Sequence, residues 1–155
     1  MFTAVGQPIR AGTSVRIPLE IDERLVRADP GNTQYLRDLL LSHEKAGGQC
    51  QALGKGEIAR YHHHKAWQIA ERLAADDHDN TRVQCDLAFR TSQLAEILDS
   101  LGDSSSFVMW ASANRILSAL DAAGLLADDY RRLFDYVTDK VEGTPQDFEK
   151  IRDSQ

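Results

Sequence analysis

The chain has 155 residues, 42% of them apolar and 27% charged, with a formal net charge of -6 and a pI near 5.3. That composition excludes a disordered chain. The acidic balance argues against general affinity for nucleic acid, so phosphate would need a local basic patch. No apolar run approaches the roughly 20 residues that cross a bilayer.

The segment from Met1 to Pro18 carries Arg10 and Arg16 but no apolar stretch of signal-peptide length. A cytoplasmic location is the expectation. Cys50 and Cys85 form no C-x-x-C pair, and free thiols are expected. Arg outnumbers Lys 13 to 5, a bias common in high-GC bacteria. Neither an internal repeat nor a low-complexity linker is evident, so a single domain over 1–155 is expected. It would comprise an extended stretch over 1–28, a helical bundle over 29–143 and a short last helix over 144–155.

At the start, Val15, Ile17, Leu19 and Ile21 alternate with Ser14, Arg16, Pro18 and Glu20. Period-two alternation predicts a short β-like arm, at an edge because Pro18 cannot donate to a ladder. The pattern then turns helical. A first main helix is expected over Pro30 to Ala46, capped by Asp29 or Asn32 and ended by Gly47-Gly48. A second spans about Lys55 to Ala75. A third opens at Thr81, where Thr81 and Gln84 match a capping box, and stops at Gly102. A fourth runs from Ser106 to Gly124 and a fifth from Asp128 to Glu142. Thr144-Pro145 and Asp147 start a short last helix with Phe148 and Ile151. The expected fold is all-α, an up-and-down bundle of five or six helices with a short extended N-terminal arm.

Three inward polar residues stand out. On the first main helix Leu36, Leu39, Leu40 and Ala46 form an apolar stripe that includes His43. In the run His62-His63-His64, helical spacing turns consecutive rings about 100° apart, so they cannot converge on one metal. With Ile58, Ala66, Ile69 and Leu73 as the apolar face, His62 falls at its centre, His63 at its margin and His64 outside it. On the third helix Arg90 interrupts the stripe of Val83, Leu87, Leu94 and Ile97. Tyr130, on the stripe of Leu133, Phe134 and Val137, adds a hydroxyl.

Buried polar groups need partners. One reading is an internal network in which Arg90 pairs with Asp86. The other is an inter-helix pocket holding a small polar or anionic ligand, with His43, His62, Arg90 and Tyr130 as its contacts. Neutral-range histidines would also suit acid–base catalysis. No cofactor and no metal is expected. The di-iron Glu-x-x-His pattern and H-E-x-x-H are absent. Asp76-Asp77-His78-Asp79 reads as a solvated capping loop. No G-x-S-x-G, G-x-G-x-x-G or phosphate-binding loop occurs.

Two segments carry a partial resemblance to DNA-binding folds. Ser14 to Ala46, a strand followed by helical segments split at Gly31-Asn32-Thr33, resembles a ribbon-helix-helix repressor over about a fifth of the chain. Asn114 to Leu126 is similar to the close of a winged-helix recognition helix, although an acidic helix follows where that fold has a β-wing. Both imply a DNA-binding regulator, against which the acidic charge weighs. The favoured expectation is a small binding or interaction protein, with an enzyme as the alternative and a DNA regulator third. A homodimer is expected, through the N-terminal arm or the fourth helix, because Phe107 to Ala111 is apolar on every side of its helix.

Overall fold

The structure, a computed structural model, describes residues 11–143, with side chains from residue 18 onward. The described residues form six α-helices: α1 (Ala11–Ala28), α2 (Thr33–Ala52), α3 (Gly56–Asp76), α4 (Thr81–Ser100), α5 (Ser106–Ala122) and α6 (Arg131–Glu142). A 3-10 turn over Asp128–Tyr130 leads into α6. No strand occurs among the described residues, and the expected all-α helical bundle is what forms. Two compact units, Met1–Ile69 and Ala70–Gln155, divide the chain inside α3. The short helix expected from residue 144 lies outside the described residues.

The expected extended arm is corrected over residues 11–28, which are the helix α1; residues 1–10 lie outside the described range. A 3.6-residue pattern runs through the same stretch and wins. Leu19, Asp22, Leu25 and Val26 are half-buried, whereas Ile21, which the alternation puts on the same face as Leu19, is 49% exposed. Pro18 sits inside α1 and removes one backbone donor. Asp22 of α1 accepts a hydrogen bond from the Ser42 hydroxyl of α2.

α2 does not end at Gly47-Gly48. It runs through both to Ala52, and the left-handed residue that closes it is Gly54, with φ of 72°. Gly47 serves a different need. A Cβ there would stand 2.9 Å from His63 Nε2, so only glycine lets that ring lie against the helix. The start of α4 is also corrected. Asn80, not Thr81, caps it, its Oδ1 accepting from the Arg82 and Val83 amides at 3.1 and 3.3 Å. Gln84 Nε2 instead donates to the carbonyls of Ala74 and His78, at 3.3 and 3.2 Å.

Those two caps expose a repeat that the sequence conceals. Residues 21–54 align with 69–102 at a constant spacing of 48, with eleven identities in 34 positions: Ile21, Glu23, Arg24, Leu25, Asp29, Asn32, Thr33, Asp38, Leu39, Leu53 and Gly54 match Ile69, Glu71, Arg72, Leu73, Asp77, Asn80, Thr81, Asp86, Leu87, Leu101 and Gly102. The backbone repeats with them. Asn32 has φ, ψ of -77°, 106° and Asn80 -81°, 105°; Leu53 has -88°, 4° and Leu101 -92°, 0°. Gly102 takes φ of 68°, beside 72° at Gly54. Each Asn side chain donates to the Asp three residues before it, at 3.3 Å for Asn32 and 2.9 Å for Asn80. The amides of Lys55 and Asp103 close the two helices on the carbonyls of Cys50 and Leu98, at 2.8 and 2.9 Å. The second helices correspond at a spacing of 47: Ala59, His63, Ala66 and Ala70 are buried on α3, as Ser106, Trp110, Ala113 and Leu117 are on α5. The expectation of no internal repeat is therefore corrected. The chain carries one pattern of caps, turns and buried positions twice, over α2–α3 and over α4–α5.

In the second unit the apolar filling of that hairpin continues onto α6. Ala88, Ala95, Trp110, Ala113, Leu117 and Val137 form one buried cluster. Trp110 Nε1 donates to Asp99 at 2.8 Å, and Asn114 Nδ2 donates to Thr138 Oγ1 at 3.1 Å. The Tyr136 hydroxyl donates to Glu96, and that bond, with burial, pushes the Tyr136 phenol up to about 12.

Candidate functional site

Two of the four expected site residues meet in the first unit. His43 Nδ1 on α2 and His62 Nδ1 on α3 stand 3.1 Å apart. The ring centroids are 5.3 Å apart, 2.2 Å more than the nitrogens. That excess is close to two imidazole ring radii, so the nitrogens face each other nearly head-on. One Nδ1–H therefore donates and the other Nδ1 accepts, which requires the two rings to hold opposite tautomers. Tyr61 lies edge-on to both, at 6.4 Å from His43 and 5.2 Å from His62. Lys65 Nζ lies 5.6 Å from the Tyr61 ring centroid.

Electrostatics keep the pair neutral at physiological pH. Burial, then the neighbouring His62 and Lys65, lowers His43 from 6.5 to about 4. Burial also lowers His62, against the pull of the Glu23 carboxylate on α1. His43 is 3% exposed, while His62 is half-buried and Tyr61 exposed. The site has a closed side at His43 and an open side at Tyr61.

The buried face of α3 lies about one residue away from the expected one. Ile58 is 49% exposed, and the buried stripe is Ala59, His63, Ala66, Ala70 and Leu73. His63, expected at the margin, is 4% exposed and lies against Gly47. The alanine spacing 59, 66, 70 was the signal for it; alanines mark where helices pack closely, and the bulkier Ile58 and Ile69 drew the stripe off line. His64 points away, as expected, and lies beside Trp67 at 5.5 Å between centroids.

Arg90 and Tyr130 belong to the second unit. Arg90 is 7% exposed; its Nη2 meets Asp86 at 3.2 Å and its Nη1 donates to Gln93 at 3.2 Å. Its guanidinium lies 5.0 Å from the Phe89 centroid. Tyr130 is half-buried. Burial and the charges of Asp86 and Cys85 raise its phenol pKa, while Arg90 and Arg82 oppose the rise. Arg90 and Tyr130 thus share one electrostatic neighbourhood. Among the described residues no group of three or more His, Cys, Asp or Glu is placed to hold a metal ion. Asp77 of the acidic loop accepts from Asn80 and so serves the cap of α4.

The repeat supplies an internal control. His43 corresponds to Thr91, His62 to Met109, His63 to Trp110, Tyr61 to Val108 and Gly47 to Ala95. His43 and Thr91 are both buried, so the hairpin accommodates a small neutral side chain where the first copy places an imidazole. Asn32 and Asn80, by contrast, are the same because the cap needs them. The histidine pair is therefore an addition to the hairpin and not a requirement of it. No protein-family model, no characterised protein sequence and no solved structure matches this chain.

Proposed function

We propose that the chain is a helical-repeat binding protein that holds a small polar or anionic group, free or carried on a partner chain, at the open side of the His43–His62 pair. The observation that carries this reading is the difference between the two hairpins: polar chemistry sits at positions where the second copy has Thr91 and Met109. Repeated helical hairpins are commonly binding scaffolds, with the shared positions making the frame and the variable ones the contacts. The Tyr61 hydroxyl stands beside the Lys65 ammonium, and His62, whose Nδ1–H is engaged by His43, adds an Nε2–H donor when it takes up a proton with the ligand, a combination that suits a carboxylate or phosphate. Arg90, already engaged with Asp86 and Gln93, fits the internal-network reading better than a ligand anchor.

The test is an NMR titration of the labelled chain with acetate, inorganic phosphate and an acidic peptide. Saturable shifts at His62, Tyr61 and Lys65 that vanish in a Tyr61→Val, Lys65→Ser variant support the proposal. Unmoved resonances in α2 and α3 with all three probes would sink it. A second reading, acid–base catalysis, draws on the proton held between two neutral rings; turnover, not binding alone, separates the two. DNA binding has lost its ribbon, because Val15 to Ile17 lies within α1. A homodimer through the start of α5 is supported by Val108, 59% exposed, and light scattering at high concentration decides it. No helix among the described residues is long and apolar enough to cross a membrane.

A further inference from the structure

We infer that the His43–His62 contact is a proton-operated latch that closes the first hairpin and that the second hairpin lacks. The latch follows from geometry and valence. Two Nδ1 atoms face each other at 3.1 Å, and only one proton fits between them. If the donor ring gains a proton at Nε2, the pair becomes a monocation and its bond strengthens, because a charged donor is the better one. If both rings are protonated, two N–H groups and two like charges point at each other across the same gap. The contact must then open, and with it the approach of α3 to α2.

The surroundings set the order of these events. From α1, the Glu23 carboxylate favours a charge on His62. From α3, the Lys65 ammonium disfavours one on His43, which is also the more deeply buried ring. Tyr61 borders both rings edge-on. On α2, Glu44 follows His43 directly, and His63 of α3 lies one residue from His62, against Gly47. His62 therefore takes the first proton as the donor ring, and His43, the acceptor, is the last to titrate. Opening coincides with the protonation of His43.

The second hairpin provides the control variant. At the corresponding positions Thr91 and Met109 cannot titrate, so a His43→Thr, His62→Met variant puts residues into the first hairpin that this fold already accommodates. Backbone amide exchange of both proteins is followed from pH 7 to pH 4, with no ligand present, so the outcome is independent of what the site binds. In the wild type, opening of α2 and the first half of α3 should rise at least tenfold beyond the intrinsic pH effect, since one pKa unit is a factor of about ten. The α4–α5 hairpin should stay flat, and the variant should be flat in both. Equal pH dependence of the first hairpin in wild type and variant overturns the latch. Histidine 15N spectra of the wild type give a second reading that needs no variant. The expected result is opposite tautomers at pH 7 and His43 titrating last. Like tautomers, or His43 titrating first, overturn it equally.

Discussion

The two hairpins have nearly the same ends and different middles. Asn32 and Asn80 cap with the same two amide bonds, and Gly54 and Gly102 take the same left-handed turn. Between those ends, Gly47 with His63 and His43 with His62 fill the first hairpin, while Ala95 with Trp110 and Thr91 with Met109 occupy the second. Ends demand particular chemistry: a side-chain acceptor for exposed amides and a residue free of Cβ strain. Middles demand only complementary volume, so they are free to diverge. The second copy has used that freedom to build an apolar cluster around Trp110. The first has used it to bury imidazoles.

The sharpest way to break the comparison is to remove the centre of each hairpin. Trp110 is 2% exposed and its indole is bonded to Asp99. Trp110→Ala should cost about 3–5 kcal/mol, as large aromatic truncations do. His63→Ala, at the corresponding place, removes less volume and should cost less by denaturant unfolding. Equal losses would mean that the two middles are alike after all.

The pH response should separate them next. The folded His43 value of about 4 lies below its ordinary 6.5, so between those values the unfolded chain binds the extra proton. The stability His43 contributes is present above pH 6.5 and lost as pH falls toward 4, on the order of 3 kcal/mol in full. Urea midpoints at pH 7 and pH 4.5 should show that loss in the wild type and show much less of it in the His43→Thr, His62→Met variant.

A third change tests the fit at Gly47. A methyl group there meets the His63 ring at 2.9 to 3.0 Å. Gly47→Ala should destabilise by about 1–3 kcal/mol through overpacking, less the roughly 1 kcal/mol that Ala gains over Gly in a helix. Adding His63→Ala should turn the substitution from destabilising to stabilising. A stabilising Gly47→Ala in the wild type would show that the contact yields easily. The shared ends should behave as twins: Asn32→Ala and Asn80→Ala should each cost about 1 kcal/mol, with amide exchange rising in α2 for one and in α4 for the other.

The spacing of α2 to α6 is legible because the apolar stripes of α2 and α4 to α6 are long and regular. Leu36, Leu39 and Leu40 point where the spacing says, and so does the buried Arg90. α1 was misread because β-branched residues happen to alternate there, and only the burial of Leu25 and Val26 against the exposure of Ile21 exposes the helical period. The repeat is hidden because only eleven of 34 positions are identical and the apolar stripes themselves differ; Leu36 faces Gln84 in the alignment, and Cys50 faces Leu98. At the site, the inward direction of His43 was readable from its own stripe. The choice among His62, His63 and His64 was not, because a stripe of alanines is weaker to the eye than one isoleucine. Gly47 looked like a helix end because glycine's two uses, left-handed turning and close approach, leave the same letter in the sequence.

Arg90 should give the smallest effect. It occupies the place of Ser42 in the other copy, so the hairpin itself does not need the charge. Its partner Asp86 has a side chain 37% exposed, and so can turn to water if the guanidinium is removed. Arg90→Met keeps most of the aliphatic volume; removing one partner of a buried ion pair is costly when the other charge stays buried, but Asp86 can reach water, so that penalty is avoided here. The melting temperature should hardly move. The electrostatic trace should be clearer than the thermal one. Burial and Asp86 raise the Tyr130 phenol, and Arg90 opposes them. Without Arg90 that opposition falls to Arg82 alone, so the Tyr130 phenolate should form at a still higher pH in an alkaline absorbance titration. A Tyr130 titration that stays in place would mean that the guanidinium charge is spent wholly on Asp86 and Gln93. A large fall in stability would mean that Arg90 supports the second hairpin through more than its charge.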